Sequence, residues 1–393
     1  MKDELLKING VTFSAIDAGI SNKDLDLSII SLSKDSTTAG VFTQNIFCAA
    51  PVLVAKNHLQ QSPLALLINS GNANAGTGVK GIENTIKACE ILANELTIDV
   101  NQVLPFSTGV IGQQLDISAF EMGIPKAKEK LSSEGINDVS KAILTTDLVS
   151  KSSSTEFKCE EKIVTMTGIA KGSGMIRPNM ATMLGFIFTD IEATQEQLQR
   201  CLEIATNQSF NRITVDGDTS TNDACTLSAT GKSGVNISQC LEIFQESLNK
   251  VTKVLAHKII KDGEGATKFV EVSVVGGVTN EDCLDVAYTV AHSPLVKTAL
   301  FASDANWGRI LAAVGRTNIS KLNINDINIY INDLQIISAG EPEPGYSENK
   351  GSSEMKKKDI TITIEIGDSK NKESVWTTDL SHEYIKINSE YRS

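Results

Sequence analysis

The stretch best suited to chemistry runs Lys171-Gly172-Ser173-Gly174-Met175-Ile176-Arg177-Pro178-Asn179-Met180-Ala181-Thr182-Met183-Leu184. Its glycines allow backbone conformations closed to other residues. Pro178 then fixes its own φ and pushes Arg177 away from helix. From Met183 to Phe188 the chain turns apolar, as a core strand or helix would. By spacing alone the stretch reads as a loop leading into a core element. Other familiar signatures fail on their residues. Gly71 to Gly76 has the spacing of a phosphate loop, but Thr77 stands where the lysine is needed. Asp216-Gly217-Asp218 opens like a calcium loop, yet Thr221 occupies the glycine position and Leu227 the glutamate position. No Gly-x-Ser-x-Gly elbow occurs. The four histidines, His58, His257, His292 and His382, have no i, i+4 partner, so neither a serine triad nor a histidine metal site is expected. The cysteines number seven, lack C-x-x-C spacing, and are expected as small buried apolar residues rather than as disulfides or zinc ligands.

The elements that must position this chemistry show in the hydrophobic pattern. Ile360, Ile362, Ile364 and Ile366 alternate with polar residues, as do Ile327, Ile329 and Ile331, and Val270, Val272 and Val274; each set predicts a half-buried strand. Leu64 to Ile68 is continuously apolar, as a strand buried on both faces is. Thr194 and Gln197 form a capping box ahead of Leu198, Cys201, Leu202 and Ala205, which predicts a helix. Apolar stripes predict two more, one through Ile82, Ile86, Cys89, Ala93 and Leu96, and one from Leu241 to Ile259. Ser347 to Lys358 is polar and reads as a solvated loop, and the serine-rich Lys151 to Thr155 as a loop before a strand at Ile163 to Met166. The chain of 393 residues has no composition break marking a linker, and the expected class is α+β, two large lobes sharing interface strands.

Charge and hydropathy narrow the setting. A net charge of −12 makes nucleic acid and anionic membrane poor general partners. An anionic substrate would need a local cationic pocket. The N-terminal residues mix charges without a signal-like apolar run, and no run approaches a membrane span, so a soluble cytoplasmic protein is expected.

Several motifs, in order along nearly the whole chain, carry a resemblance. They are Ser107-Thr108-Gly109-Val110, Thr145-Thr146-Asp147, Lys171 to Leu184, Val215 to Asp223, Asp262-Gly263-Glu264-Gly265-Ala266-Thr267-Lys268, Asp304-Ala305-Asn306-Trp307-Gly308-Arg309, and the ending Ile387-Asn388-Ser389-Glu390-Tyr391-Arg392-Ser393. Together they resemble the ornithine acetyltransferase family, the bifunctional glutamate N-acetyltransferases of arginine biosynthesis. The chain departs from that pattern at Ser393, where threonine is usual, and at Leu148, where another threonine is expected.

The resemblance implies two α/β lobes in a layered α/β/β/α arrangement. It implies self-cleavage between Ala181 and Thr182 into an α-chain, residues 1–181, and a β-chain, residues 182–393, that assemble as α2β2. Thr182 would then be the nucleophile, its new α-amine acting as base, since that amine titrates near pH ~8. Thr108 and Gly109 would form the oxyanion hole. Thr145, Thr146, Lys171, Thr182, Glu264, Asn388 and Ser393 would bind substrate, with Thr145 and Thr146 both open as the contact. The implied reaction is ping-pong acetyl transfer from N-acetylornithine to glutamate, with no required cofactor or metal and acetyl-CoA as a second donor to be tested. Two rival readings are an aminopeptidase or amidase using the same nucleophile and an uncleaved amino-acid-binding protein.

Overall fold

A computed structural model describes residues 5–177, 183–319 and 322–390. The chain divides into two compact units, Met1–Asn211 with Asp218–Ile259, and Arg212–Gly217 with Ile260–Ser393.

The first unit is built on two sheets. One orders β1 (Val11–Ile16), β2 (Leu27–Leu32), β4 (Ala65–Asn72) and β5 (Val103–Val110), with only β4 and β5 parallel. The other orders β3 (Thr37–Phe42), β10 (Ala224–Ala229), β8 (Leu184–Thr189), β7 (Lys162–Lys171) and β6 (Lys151–Cys159), with only β10 and β8 parallel. Their inner faces meet through aromatic edges, Phe13 against Phe188 at 5.2 Å and Phe106 against Phe186 at 5.1 Å between ring centroids. Such pairs add to the burial of their apolar area. The outer face of the first sheet is covered by the helices Gly78–Leu96 and Ile117–Glu129, which bury Cys89, Leu92, Phe120 and Ile124 against Leu27, Ile29, Leu67 and Val103. The outer face of the second is covered by the helices Gln195–Asn207 and Leu241–Lys261. A Cβ on Gly168 of β7 would meet Val251 and Leu255 at 3.0 Å, so the bare backbone lets the longer helix approach. The α/β/β/α layering therefore lies within this unit.

The second unit carries a seven-stranded sheet ordered β14 (Glu341–Pro342), β13 (Leu334–Ser338), β12 (Asn328–Ile331), β15 (Asp359–Glu365), β11 (Phe269–Val275), β16 (Lys372–Thr378) and β9 (Ile213–Thr214). The helices Asn280–Ala291, Pro294–Ala302 and Trp307–Gly315 cover it, and Val272, Val286, Val314, Ile329, Ile362 and Val375 share its core. The α+β class with two α/β lobes holds.

Most sequence-based elements form where the pattern puts them, and two do not. Ser347 to Lys358 is not simply a loop. Glu348–Met355 is a helix, because Met355 (2% exposed) buries in the second core and Gly351 packs against Tyr346 and Ala305. Lys151 to Thr155 is not a loop either. It starts β6, paired with β7 along its length, and buries Lys151, Ser153, Phe157 and Cys159 on one face. Ser154 Oγ accepts from the Leu6 N–H at 3.1 Å and lies 2.9 Å from Thr167 Oγ1. Cys89, Cys159, Cys201, Cys225 and Cys283 are buried and all seven cysteines are free thiols. Among the described residues no helix is long and apolar enough to cross a membrane.

Candidate active site

Thr108 and Gly109 end β5, beside the end of β4. Gly109 has φ +131°, and a Cβ there would lie 2.3 Å from the carbonyl carbon of Gly71. Only glycine allows both the positive φ and that backbone approach. Thr108 is buried, and its Oγ1 accepts a hydrogen bond from Lys171 Nζ at 3.1 Å. Lys171, at the end of β7, also donates to Thr145 Oγ1 at 2.9 Å. One ammonium thus joins hydroxyls from two other chain segments. Each hydroxyl accepts from the lysine and keeps its own proton to donate. Thr146 points elsewhere, its Oγ1 lying 2.7 Å from Ser173 Oγ.

Asp147 holds this corner together. Its Oδ1 accepts from Lys151 Nζ and from the Gly172 N–H, both at 2.6 Å, and its Oδ2 from the Thr145 N–H at 3.0 Å. Both ion-pair side chains are fully buried. Burial works against the Asp147 charge, but Lys171, Lys151 and the Thr145 N–H outweigh it and hold the carboxyl well below the usual range. Lys23 donates through Nζ to the carbonyls of Leu144 and Thr145. Its pKa is lowered, first by burial and further by Lys171, against the pull of Asp147.

Opposite this corner lies the loop before β10. Asn222 Nδ2 donates to the carbonyls of Ala73 (2.6 Å) and Ser107 (2.9 Å), so the loop is tied to the residue preceding Thr108. Next to it, Asp223 is buried, and burial lifts its carboxyl well above the usual range although Lys171, Ser220 and the Met183 N–H oppose the rise.

In the second unit, Glu264 is buried and its Oε2 accepts from Asn388 Nδ2 at 2.8 Å. Asn388 sits on the exposed helix His382–Ser389, capped by Ser381, whose Oγ also donates to the Gly265 carbonyl at 2.7 Å. Gly265 has φ +66°, and a Cβ there would strike the Tyr384 nitrogen at 2.5 Å. Asp379 fastens the other side of the segment, accepting from the Thr267 and Lys268 N–H groups at 2.8 and 3.1 Å.

The structure therefore brings together Thr108, Gly109, Thr145 and Lys171 in one unit, and Glu264 and Asn388 in the other. Ala181, Thr182 and Ser393 lie outside the described residues. Sequence reasoning gave no role to Asp147, Lys151, Asn222, Asp223 or Lys23. Asp147, Asn222 and Asp223 stood inside motifs that had been singled out, which was the available signal. Lys23 had none, meeting Thr145 from 122 residues away.

Comparison with known proteins shows the family. The family model described as the ArgJ family matches residues 12–393. The chain is 48% identical to the arginine biosynthesis bifunctional protein ArgJ of Pseudomonas fluorescens (strain Pf0-1) over 94% of this chain and 92% of that protein. It is 46% identical to the protein of the same name from Psychrobacter arcticus, over 100% and 98%. A crystal structure of the arginine biosynthesis bifunctional protein ArgJ from Bacillus halodurans matches with a TM-score of 0.50 at 35% identity, covering 52% of this chain and 98% of that one. Fold and relatives define an enzyme that transfers an acyl group, an acetyltransferase of arginine biosynthesis. The chain belongs to the ArgJ family.

Proposed function

We propose that the protein moves an acetyl group from N-acetylornithine to glutamate through an acetyl ester on Thr182, after breaking its own backbone between Ala181 and Thr182. The observation that carries the reading is the Lys171 ammonium joining the Thr108 and Thr145 hydroxyls beside a position that only glycine can fill.

In the cleavage, the Thr182 hydroxyl attacks the Ala181 carbonyl carbon, the C–N bond breaks toward a free α-amine, and water hydrolyses the resulting ester. In turnover, that α-amine takes the hydroxyl proton as Thr182 attacks the acetyl carbon. Negative charge gathers on the acetyl oxygen, where the Thr108 O–H and the Gly109 N–H donate to it. The ornithine amine leaves with the proton. The glutamate amine then attacks the Thr182 ester and passes a proton to the α-amine, the C–O bond to Thr182 breaks, and the α-amine returns that proton to the Thr182 oxygen as N-acetylglutamate leaves. Lys171 pairs with the substrate carboxylate, a charge-assisted contact, and Thr145, the residue turned toward Lys171, assists it. Glu264, held by Asn388, pairs with the cationic side chain of ornithine, and Ser393 closes the pocket. The cleaved chains assemble as α2β2, and acetyl-CoA is a second donor to be assayed.

Intact masses under denaturing conditions test the cleavage. Wild type is expected as two chains, residues 1–181 and 182–393, and Thr182→Ala as one. A wild-type protein that stays whole removes the α-amine and with it the proposed base. Product analysis tests the transfer: N-acetylglutamate is expected, and acetate alone would make the enzyme a hydrolase.

A further inference from the structure

Ornithine and glutamate differ at the far end of the side chain, an ammonium on one and a carboxylate on the other. Glu264 serves the ammonium, which leaves the distal carboxylate of glutamate without a cation. The first unit holds an ammonium that the steps above do not use. Lys23 lies on the loop between β1 and β2. There the buried carboxylate of Asp26 accepts from the Ala18 and Ser21 N–H groups, both at 2.8 Å, and shapes the loop. The loop rests on the strand ends that carry Gly109. A Cβ on Gly71 (φ +98°) would lie 2.6 Å from the Ser21 Cβ, and the Gly71 backbone lies against Gly109 on the other side. From this loop the Lys23 ammonium donates to the Leu144 carbonyl at 3.0 Å and to the Thr145 carbonyl. Lys171 Nζ donates to the hydroxyl of the same Thr145. A single residue therefore separates the two ammonium groups, which lie within about 10 Å of each other.

We propose that Lys23 determines specificity for the acetyl acceptor: with Lys171 on one carboxylate, Lys23 takes the other, so that the pair selects a five-carbon dicarboxylate. The inference rests on the reading of glutamate as the acceptor. An ammonium has three N–H donors, and Lys23 spends two on carbonyls, so among the described residues one is left for a ligand at this exposed position. Asp147, the carboxylate of this corner, is already held by Lys151 and by the Gly172 and Thr145 N–H groups. Like charges this close repel, as the lowered pKa of Lys23 beside Lys171 reflects, and an anion between them relieves the repulsion. The carboxylate carbons of an extended five-carbon diacid are about 5 Å apart, and a charge-assisted hydrogen bond of about 2.8 Å at each end spans two such donors. N-acetylornithine carries a cation where glutamate carries its second carboxylate, so Lys23 gives the donor no hold.

The test compares wild type with Lys23→Met, which removes charge and hydrogen bonds, Lys23→Gln, which removes the charge and keeps N–H donors, and Lys23→Arg, which keeps both. In a ping-pong exchange, kcat/KM for each substrate reports its own half of the reaction. It is measured for N-acetylornithine, for glutamate, and for glutamine, an acceptor of the same length without the second charge; folding is followed by thermal melting. Lys23→Met and Lys23→Gln are expected to lose about tenfold in kcat/KM for glutamate, the order of one charge-assisted contact, and to prefer glutamate over glutamine about tenfold less than wild type does. Their kcat/KM for N-acetylornithine is expected to move less than about twofold, and Lys23→Arg to stay within about threefold of wild type with glutamate. A folded Lys23→Met with wild-type kcat/KM for glutamate overturns the proposal, and Lys23→Gln decides the matter if the methionine variant does not fold. A loss shared equally by both substrates also overturns it, since Lys23 would then only tether Thr145. So does a folded Lys23→Arg as slow with glutamate as Lys23→Met, or a wild type that accepts glutamine as well as glutamate. A wild-type protein that forms no N-acetylglutamate overturns the parent reading and this one together. A wild type that forms it, with an unchanged acceptor preference in Lys23→Met, removes this one alone.

Discussion

At the scale of single residues, Asp147 shows how one buried charge can tie several chain segments together. Its carboxylate takes hydrogen bonds from three places, the Lys151 ammonium, the Gly172 N–H and the Thr145 N–H. Two of those neighbours adjoin or form the proposed substrate contacts Lys171 and Thr145. Asp147→Asn strips Lys151 of this buried counter-charge and is expected to cost about 3–5 kcal/mol. A urea-denaturation midpoint unchanged from wild type would show that the corner does not depend on this charge. Such roles were only half legible in the chain. The motif that contains Asp147 was visible, but spacing does not say which neighbours a carboxylate meets. Lys171 reaches Thr108 across 63 residues of sequence, a contact that only the pairing of sheets creates. The resemblance assigns Gly109 to the proposed oxyanion hole. That it must be glycine, because the Gly71 backbone lies against it, came from the fold.

At the scale of elements, the helix His382–Ser389 and the segment 262–268 act as one piece. Ser381 grips Gly265, Asp379 grips Thr267 and Lys268, and Asn388 grips Glu264. These bonds let an exposed final helix hold a buried carboxylate in place. Deleting residues 388–393 is expected to abolish turnover while self-cleavage and the melting temperature stay near wild type, because the helix up to residue 387 keeps its cap and its grip on Gly265. Full turnover in the truncated protein would dismiss the C-terminal contacts. Elements with a clean period were legible, as β11, β12 and β15 and the stripes of the helices Gly78–Leu96 and Leu241–Lys261 show. Elements whose buried side is written in serine, glycine or a single methionine were not. β6 owes its structure to the neighbouring strand β7, and the helix Glu348–Met355 to Tyr346 and Ala305, and packing overrides weak local preference.

At the scale of the whole molecule, stability carries a signature of Lys297. Its side chain is buried and donates to Thr377 and Thr378, and burial lowers its pKa from 10.5 to about 7 despite the opposing charges of Asp379 and Asp216. Between about pH 7 and 10.5 the unfolded chain holds this proton and the folded protein does not. The contribution of the group is therefore largest above pH 10.5 and is lost as pH falls toward 7. Lys297→Met is expected to flatten the rise of stability with pH across that window, read from melting temperatures of both proteins, and parallel curves would refute it. The two α/β lobes were legible by resemblance, but the excursion of residues 212–217 into the second unit was not, since it forms a strand of only two residues. The order of the five-stranded sheet has one more consequence. Strands from before position 181 (β3, β6, β7) flank strands from after it (β8, β10), and Phe13 and Phe106 before it meet Phe188 and Phe186 after it. A break there would change the connectivity of the chain and leave its cohesion intact. The halves would interleave in the first unit, neither owning its complete core, so that separately synthesised pieces could complete that unit only by folding around one another.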